Sequence, residues 1–286
     1  MKRRLIIRQG GIGDCIMCLP AMRHLAKDYE TEVWLPPPVV PLLSKEFKTV
    51  ALTGTGIYSL QNPEAQRSLI HRLASFDSII SWYNNEAFIK FCFGKFDITR
   101  FEPLPLVGVP MHMSDWFSWQ TGCTERIPTL EVARLPVRDV VLIHPFSGSY
   151  VKNYSMEFFE TVAAGLNPIP CEWVAGPEQP IERDVIRIEN LYELAVYLTS
   201  VKLYIGNDSG ITHLAAALGV PVIALFTNSS NMAQWMPKGR GHVSAIRTSS
   251  SNYVTALARE IFENGANYRS GDIPSGSDYQ AQSNAC

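Results

Sequence analysis

Short apolar runs alternate with amphipathic segments along most of the chain. In the first half, four short apolar runs are predicted to be strands: 5–8, 32–35, 49–52 and 78–82. The segment 14–27 places Leu19, Met22 and Leu25 at helical spacing and is predicted to be a helix. This alternation is typical of βαβ units that build a parallel sheet.

The same rhythm restarts in the second half. Further strands are predicted at 140–143, 171–175, 202–206 and 222–226. Helices are predicted at 191–198, 210–218 and 254–262, and one more after Ser155, whose hydroxyl can cap it. The predicted fold class is therefore α/β, with two doubly wound domains.

The domain boundary is expected between Gly122 and Arg138, where Pro128 and Pro136 flank polar residues. The predicted domains are 1–130 and 131–264. The segment 265–286 is rich in Gly, Ser, Asn and Gln and has few large apolar residues, so we expect a disordered tail.

The composition and net charge of the chain argue against some classes of binding partner and of cellular location. The net charge of −2 gives no indication of a polyanionic partner, so nucleic acid is not expected. The N-terminal residues lack the long apolar core of a signal peptide, and no stretch is long and apolar enough to span a bilayer. We expect a cytoplasmic protein, with contact at the inner membrane face left open.

Cys15 and Cys18 form a C-x-x-C pair. Neither a second pair nor a histidine cluster completes a metal site, so buried thiols are favoured over redox or metal chemistry. No metal is expected.

Three segments follow strands, where such sheets bind ligands. The first is the glycine-rich loop from Gln9 to Asp14, which lacks the full G-x-G-x-x-G spacing of a dinucleotide site. Asp14 stands where a helix begins. It can cap that helix or act as a general base that takes a proton from an attacking hydroxyl.

The second segment runs from His144 to Lys152 and opens a strand into a Ser/Gly loop. Its amides and hydroxyls can hold phosphate oxygens, with Lys152 adding a positive charge. The alternative is an ordinary surface turn with a solvated lysine.

The third segment runs from Tyr204 to Pro221 and is more specific. An apolar strand leads through Asp208, Ser209 and Gly210 directly into an alanine-rich helix. The free amides and the dipole at the start of a helix both favour anions, so this segment predicts a diphosphate site. His213 can be a ligand or a buried structural histidine.

The aromatic segment from His112 to Trp119 also has two interpretations. Its rings can contact acceptor sugars or a membrane surface, or they can pack in a core or between domains.

Together these segments resemble the heptosyltransferase-like enzymes of glycosyltransferase family 9. The matching pieces, in the family's order, are Gly11-Ile12-Gly13-Asp14 with Leu19-Pro20, His144-Pro145, Lys152-Asn153-Tyr154, Ala175-Gly176-Pro177-Glu178 and Asn207 to Ala216. The resemblance implies the GT-B architecture of two Rossmann-like domains with a cleft between them. It also implies that the domain 1–130 binds the acceptor and that the domain 131–264 binds the nucleotide sugar. The family usually has Lys-Arg-Trp-Pro at 152–155 and a glycine after Phe226, and this chain has neither.

The resemblance also implies residue roles. Asp14 matches the catalytic base, Ser147 and Lys152 match contacts to the donor phosphates, Glu178 matches a ribose contact and Asp208 a sugar contact. The donor-binding set is Gly13, Ser147, Lys152, Glu178, Asp208, Ser209, Gly210, Ile211, Thr212 and His213.

The implied reaction is an inverting, metal-independent transfer of a sugar from a nucleotide-diphosphate sugar to a hydroxyl. The family's usual donor is ADP-heptose, and the acceptor would be a lipopolysaccharide, another glycan or a lipid-linked molecule. Two alternatives stay open: a nucleotide-sugar-binding protein without transfer activity, and a glycosyltransferase whose acceptor is a nucleic acid or a protein.

Overall fold

The computed structural model describes residues 1–105, 109–227, 231–264 and 282–283. The chain divides into two compact units, Met1–Arg126 and Ile127–Cys286. Each contains one sheet with helices between its strands, so the predicted α/β class is confirmed.

The first unit contains a five-stranded parallel sheet. Its strands are β1 (Arg3–Ile7), β2 (Glu30–Leu35), β3 (Lys48–Ala51), β4 (Ser78–Ser81) and β5 (Ile98–Arg100), in the order β3-β2-β1-β4-β5. Its helices are α1 (Ile12–Met17), α2 (Leu19–Ala26), α3 (Val40–Leu43), α4 (Pro63–Leu73), α5 (Glu86–Cys92) and α6 (Met113–Thr121). Short 3₁₀ turns lie at Pro37–Val39 and Leu52–Gly54. Leu5 and Ile79 of the sheet share a core with Leu69 of α4 and Phe88 of α5.

The second unit contains a six-stranded sheet. Its strands are β6 (Arg138–His144), β7 (Cys171–Trp173), β8 (Val201–Asn207), β9 (Val222–Leu225), β10 (Val243–Ile246) and β11 (Gln282–Ser283), in the order β11-β10-β9-β8-β6-β7. The pairing of β11 with β10 is antiparallel, and the other pairs are parallel. The helices are α7 (Met156–Gly165), α8 (Leu191–Leu198), α9 (Gly210–Ala217), α10 (Met232–Trp235) and α11 (Ser251–Asn264), with a 3₁₀ turn at Tyr150–Lys152.

Helices α7 and α11 cover one face of this second sheet. Phe159 of α7 and Leu257 of α11 pack with Val141, Leu203 and Ile223 of the strands in one buried cluster. The predicted cap of α7 is present, because the Ser155 hydroxyl accepts a hydrogen bond from the Phe158 N–H at 3.2 Å. The carboxyl ends of the parallel strands meet at one edge, which places the loops after β6, β7, β8 and β9 side by side.

The predicted helix over 14–27 is wrong in one respect, because the structure forms two helices there. The first ends at Met17 and the second begins at Leu19. Pro20 has no N–H to give to the carbonyl of Ile16, so it interrupts the bond ladder, although it is tolerated in the first turn of a new helix.

The predicted disorder of 265–286 concerns residues that lie outside the described part of the chain, apart from Gln282 and Ser283. The roles of the predicted domains stay a prediction. Among the described residues, no helix has the length and apolar character needed to cross a bilayer.

Candidate active site

Asp14 lies in the first turn of α1, directly after β1 and its glycine loop. Its Oδ2 accepts a hydrogen bond from the Gly11 N–H at 2.7 Å, so the carboxylate caps the helix. The side chain is still 28% exposed. Capping uses one carboxylate oxygen, so the cap and the base interpretations are compatible.

Two neighbours fix the position of Asp14. Gly10 has φ +141°, and a Cβ at that position would lie 2.8 Å from the Asp14 Cβ, so this close approach needs glycine. The buried Arg8 guanidinium lies 3.5 Å from Asp14 Oδ1 and 4.8 Å from the Phe117 ring centroid. Gly13 is buried inside α1.

In the second unit, Lys152 and Asp208 form an ion pair. The Lys152 Nζ lies 2.8 Å from Asp208 Oδ2, and the carboxylate is buried while the lysine is half-exposed. Asp208 follows β8, and its N–H donates to the Leu225 carbonyl at 3.0 Å. The two residues are 56 positions apart in the chain and meet because β6 and β8 are neighbours in the sheet.

The loop that precedes Lys152 is held by its own serines. The Ser147 hydroxyl donates to the Ser149 carbonyl at 2.7 Å, and the Ser149 N–H donates back to Ser147 Oγ at 3.3 Å. Ser147 therefore lies at the same sheet edge as Lys152, but its hydroxyl hydrogen is used inside the loop.

Helix α9 starts beside this ion pair. Ser209 is its N-cap, and the Ser209 hydroxyl accepts a hydrogen bond from the Thr212 N–H at 3.3 Å. The amides of Gly210 and Ile211, the first two of the helix, have no intrahelical acceptor, and both residues are partly exposed. These two amides are therefore better placed to bind an anion than that of Thr212, which already serves the cap.

A chain of buried polar side chains supports this start of α9. The Thr212 hydroxyl donates to the Asn207 carbonyl at 2.5 Å and lies 3.3 Å from the Tyr204 hydroxyl. Tyr204 Oη in turn lies 3.1 Å from His144 Nδ1. Burial lowers the pKa of His144 to about 4 and raises that of Tyr204, so both are neutral at pH 7. Sequence reasoning missed this network, because Tyr204 looks like one more strand residue.

His213 and Glu178 differ sharply in exposure. His213 is buried in the first turn of α9. Glu178 is exposed in the turn that follows β7, and this turn is braced by the Arg187 guanidinium, which donates to the Gln179 carbonyl at 2.9 Å. Since β7 neighbours β6, Glu178 belongs to the same sheet edge as Lys152.

Tyr154 is a further residue that the sequence did not single out for a role. Its N–H donates to Asn207 Oδ1 at 3.1 Å, and its hydroxyl donates to the Phe226 carbonyl at 3.0 Å. The same hydroxyl accepts from the Thr248 N–H at 3.2 Å. Tyr154 thus ties the loop of Lys152 to the ends of β8, β9 and β10.

The paired cysteines are ordinary buried thiols. Burial raises the pKa of Cys15 and of Cys18 to about 12, so neither is a thiolate at neutral pH. In the part of the chain that the structure describes, no group of three or more His, Cys, Asp or Glu side chains is arranged to hold a metal ion.

Comparison with known proteins links this geometry to a family. The sequence model of glycosyltransferase family 9 (heptosyltransferase) matches residues 183–253. That segment contains β8, α9 and β9, and therefore Asp208 and the start of α9. The chain resembles glycosyltransferase family 9. A search of curated proteins gives no match.

Solved structures extend this resemblance to the fold of most of the chain. One is E. coli ADP-heptose LPS heptosyltransferase II, with a TM-score of 0.69, 15% identity and coverage of 92% of this chain and 99% of that one. Another is the family 9 glycosyl transferase from Veillonella parvula, with a TM-score of 0.66, 17% identity and coverage of 91% of this chain and 89% of that one. A third is E. coli heptosyltransferase WaaC with ADP, with a TM-score of 0.65, 14% identity and coverage of 90% of this chain and 99% of that one.

These findings confirm the predicted resemblance and the GT-B type of fold, and they support a glycosyltransferase enzyme. The roles of all the predicted site residues stay predictions, and Asp14, Ser147, Lys152 and Glu178 also lie outside the matched segment.

Proposed function

We propose that this protein transfers a sugar from a nucleotide-diphosphate sugar to a hydroxyl acceptor, with inversion and without a metal. The observation that carries the proposal is the start of α9, where two open amides lie beside the Lys152–Asp208 pair. Amides at a helix start and a nearby ammonium group are suited to a diphosphate. The alternatives without transfer, or with a nucleic-acid or protein acceptor, have no comparable support.

The nucleotide follows from the family resemblance. WaaC was solved with ADP and also with ADP-2-deoxy-2-fluoro heptose. ADP is therefore the first diphosphate to test, and ADP-heptose is the first donor.

In the proposed reaction, negative charge develops on the diphosphate leaving group, close to Lys152 and the helix-start amides. The acceptor oxygen attacks the anomeric carbon, the bond from that carbon to the diphosphate breaks, and Asp14 takes the acceptor's proton. The departing diphosphate gains negative charge, which Lys152 and the amides of Gly210 and Ile211 stabilise. These groups take the place of a divalent ion.

The other predicted donor residues have assigned roles in the same proposal. Ser147 turns its hydroxyl from the Ser149 carbonyl to the phosphates, and Ser209 offers its N–H to them. Glu178 binds the ribose, and Asp208 orients Lys152 and contacts the sugar. Thr212 and His213 belong to the same helix start as these groups, and Gly13 is a predicted donor residue in the first unit.

The acceptor and the location are also proposed. A glycan or lipid-linked acceptor made inside the cell would place the enzyme in the cytoplasm, at the inner face of the membrane when the acceptor is lipid-linked.

The first test is calorimetric titration of the full chain with ADP, UDP, GDP and CDP in the presence of EDTA. Lys152→Gln removes a charge-assisted contact to phosphate, so we expect affinity for the preferred diphosphate to fall about 10- to 100-fold.

Lys202→Gln is the matched control. Lys202 also pairs with an aspartate, Asp139, at 2.9 Å, but that carboxylate is exposed and the lysine lies near the amino end of β8. The proposal is wrong if no nucleotide binds, if binding needs a divalent ion, or if the two lysine variants behave alike.

A further inference from the structure

A second polar cluster lies in the first unit, at the carboxyl ends of β4 and β5. Glu102 accepts hydrogen bonds from Arg100 Nη2 at 2.6 Å and from Asn84 Nδ2 at 3.0 Å, one on each carboxylate oxygen. Arg100 and Glu102 are partly exposed, and Asn84 is exposed. The cluster therefore offers hydrogen-bond donors and acceptors to solvent, and its two charges cancel.

Helix α6 is fastened to the same segment. The Trp116 indole N–H donates to the Glu102 carbonyl at 3.0 Å. The Gln120 side-chain amide brackets the Glu102 backbone, since it accepts from the Glu102 N–H at 2.8 Å and donates to the Glu102 carbonyl at 3.1 Å. These three bonds fix α6 against the polar cluster.

Trp119 stands on this support and is largely open to solvent. Its ring stacks on that of Trp116, with centroids 5.2 Å apart and planes 21° apart. Trp116 is only 8% exposed, whereas Trp119 is 60% exposed. The packing interpretation of the aromatic segment is confirmed for Met113, Trp116 and Phe117, which are buried. Trp119 exposes its ring to solvent, and the sugar-contact interpretation stays a prediction for it.

We propose that Trp119, Glu102 and Asn84 form a subsite for a neutral pyranose ring of a glycan acceptor. This inference rests on the proposed function. The apolar C–H face of a sugar ring packs on an indole face, as an amphipathic ligand does on an aromatic side chain. Neighbouring hydroxyls donate to the Glu102 carboxylate and accept from the Asn84 amide. Because Arg100 neutralises Glu102, the subsite favours uncharged sugars over phosphorylated or carboxylated ones.

The strand register relates this subsite to Asp14. Ile7 pairs with Ser81, and Ser81 pairs with Arg100, so β1, β4 and β5 end level with one another. Two strand spacings separate the ends of β1 and β5 by about 10 Å. That is more than one pyranose ring spans. This separation of the strand ends favours an acceptor with at least two rings, one on Trp119 and another that presents its hydroxyl to Asp14.

Saturation-transfer NMR of the full chain tests this subsite. The probes are methyl glucoside, cellobiose and lactose as neutral sugars, and glucose 6-phosphate and glucuronic acid as anionic ones. We expect the disaccharides to bind best and the anionic sugars least. Trp119→Ala should weaken disaccharide binding about tenfold, and Glu102→Gln should weaken it less.

Phe93→Ala is the matched control. Phe93 is 82% exposed but follows α5 and precedes β5, which places it toward the opposite edge of the sheet. The inference is overturned if no neutral sugar binds, if anionic sugars bind better, or if Trp119→Ala binds as well as Phe93→Ala.

Nucleotide titration of the same samples separates the two ways to fail. If nucleotide binds and saccharide does not, only the proposed sugar subsite is wrong. If nucleotide does not bind, the proposed function is wrong. Because Trp119 lies in the first unit and the nucleotide groups lie in the second, the fold of Trp119→Ala is checked separately, by thermal unfolding against wild type.

Discussion

At the scale of single residues, buried polar side chains support the candidate anion-binding amides that the sequence motif at 207–216 predicts. His144, Tyr204 and Thr212 contact one another beneath the start of α9. A neutral imidazole is part of this arrangement, because burial disfavours its charged form.

His144 therefore gives the stability of the fold a pH dependence. Its folded pKa is about 4, whereas an unfolded histidine has about 6.5. Between those values the unfolded chain binds a proton that the folded chain does not, so the free energy of unfolding falls as the pH falls. We expect wild type to lose about 2 kcal/mol more than His144→Gln between pH 7 and pH 5.

Urea unfolding of both proteins at the two pH values measures this difference. His24→Gln is the control, since it replaces a histidine that is exposed in α2. Equal losses in wild type and His144→Gln would show that His144 is not held neutral by burial.

Residue types and their order predict Asp14, Lys152 and Asp208 as a candidate set. The sequence does not predict that Lys152 pairs with Asp208, because the contact joins distant loops. Nor does it show that one carboxylate can cap α1 and still reach solvent, which depends on the turn at Gly10.

At the scale of elements, the loop after β6 depends on Tyr154. Its hydroxyl joins the Phe226 carbonyl and the Thr248 N–H, which follow β9 and β10. Tyr154→Phe removes both bonds and leaves these partly buried backbone groups less well satisfied. We expect a loss of about 1–3 kcal/mol in the free energy of unfolding, measured by urea titration, and weaker ADP binding because Lys152 is less well fixed.

Tyr150→Phe is the control for this change. Tyr150 is a neighbouring, exposed tyrosine, so removal of its hydroxyl should alter neither quantity. A Tyr154→Phe protein as stable as Tyr150→Phe would mean that the loop is held by other contacts.

Periodicity locates the elements with strong apolar patterns. The predicted helix over 191–198 matches α8, and the apolar run at 140–143 lies inside β6. Helix α4 was not predicted, because most of its residues are polar and only Leu69 and Leu73 are buried. Its start signals, Asn62 and Pro63, are visible in the sequence, and the Asn62 side chain accepts from the Glu64 N–H at 2.8 Å.

At the scale of the whole molecule, the alternation of strands and helices is enough to predict two α/β units. The family match covers residues 183–253, whereas the fold similarity extends over about nine-tenths of the chain. The proposed donor residues can be predicted from the sequence because they follow single strands in short motifs. Acceptor chemistry is not, because Asn84, Glu102 and Trp119 come together only when β4, β5 and α6 pack.

The central claim is that Asp14 acts as the base in a sugar transfer. An amide oxygen at position 14 can still accept from the Gly11 N–H, so Asp14→Asn retains the cap of α1 but cannot take up the proton.

The most direct test is acceptor-dependent release of ADP from ADP-heptose, in EDTA, by wild type and by Asp14→Asn. The account predicts release by wild type, and a rate at least about 100-fold lower in a variant that binds ADP normally. Equal rates in the two proteins, or no release by a wild-type protein that binds ADP-heptose and a glycan acceptor, would contradict it.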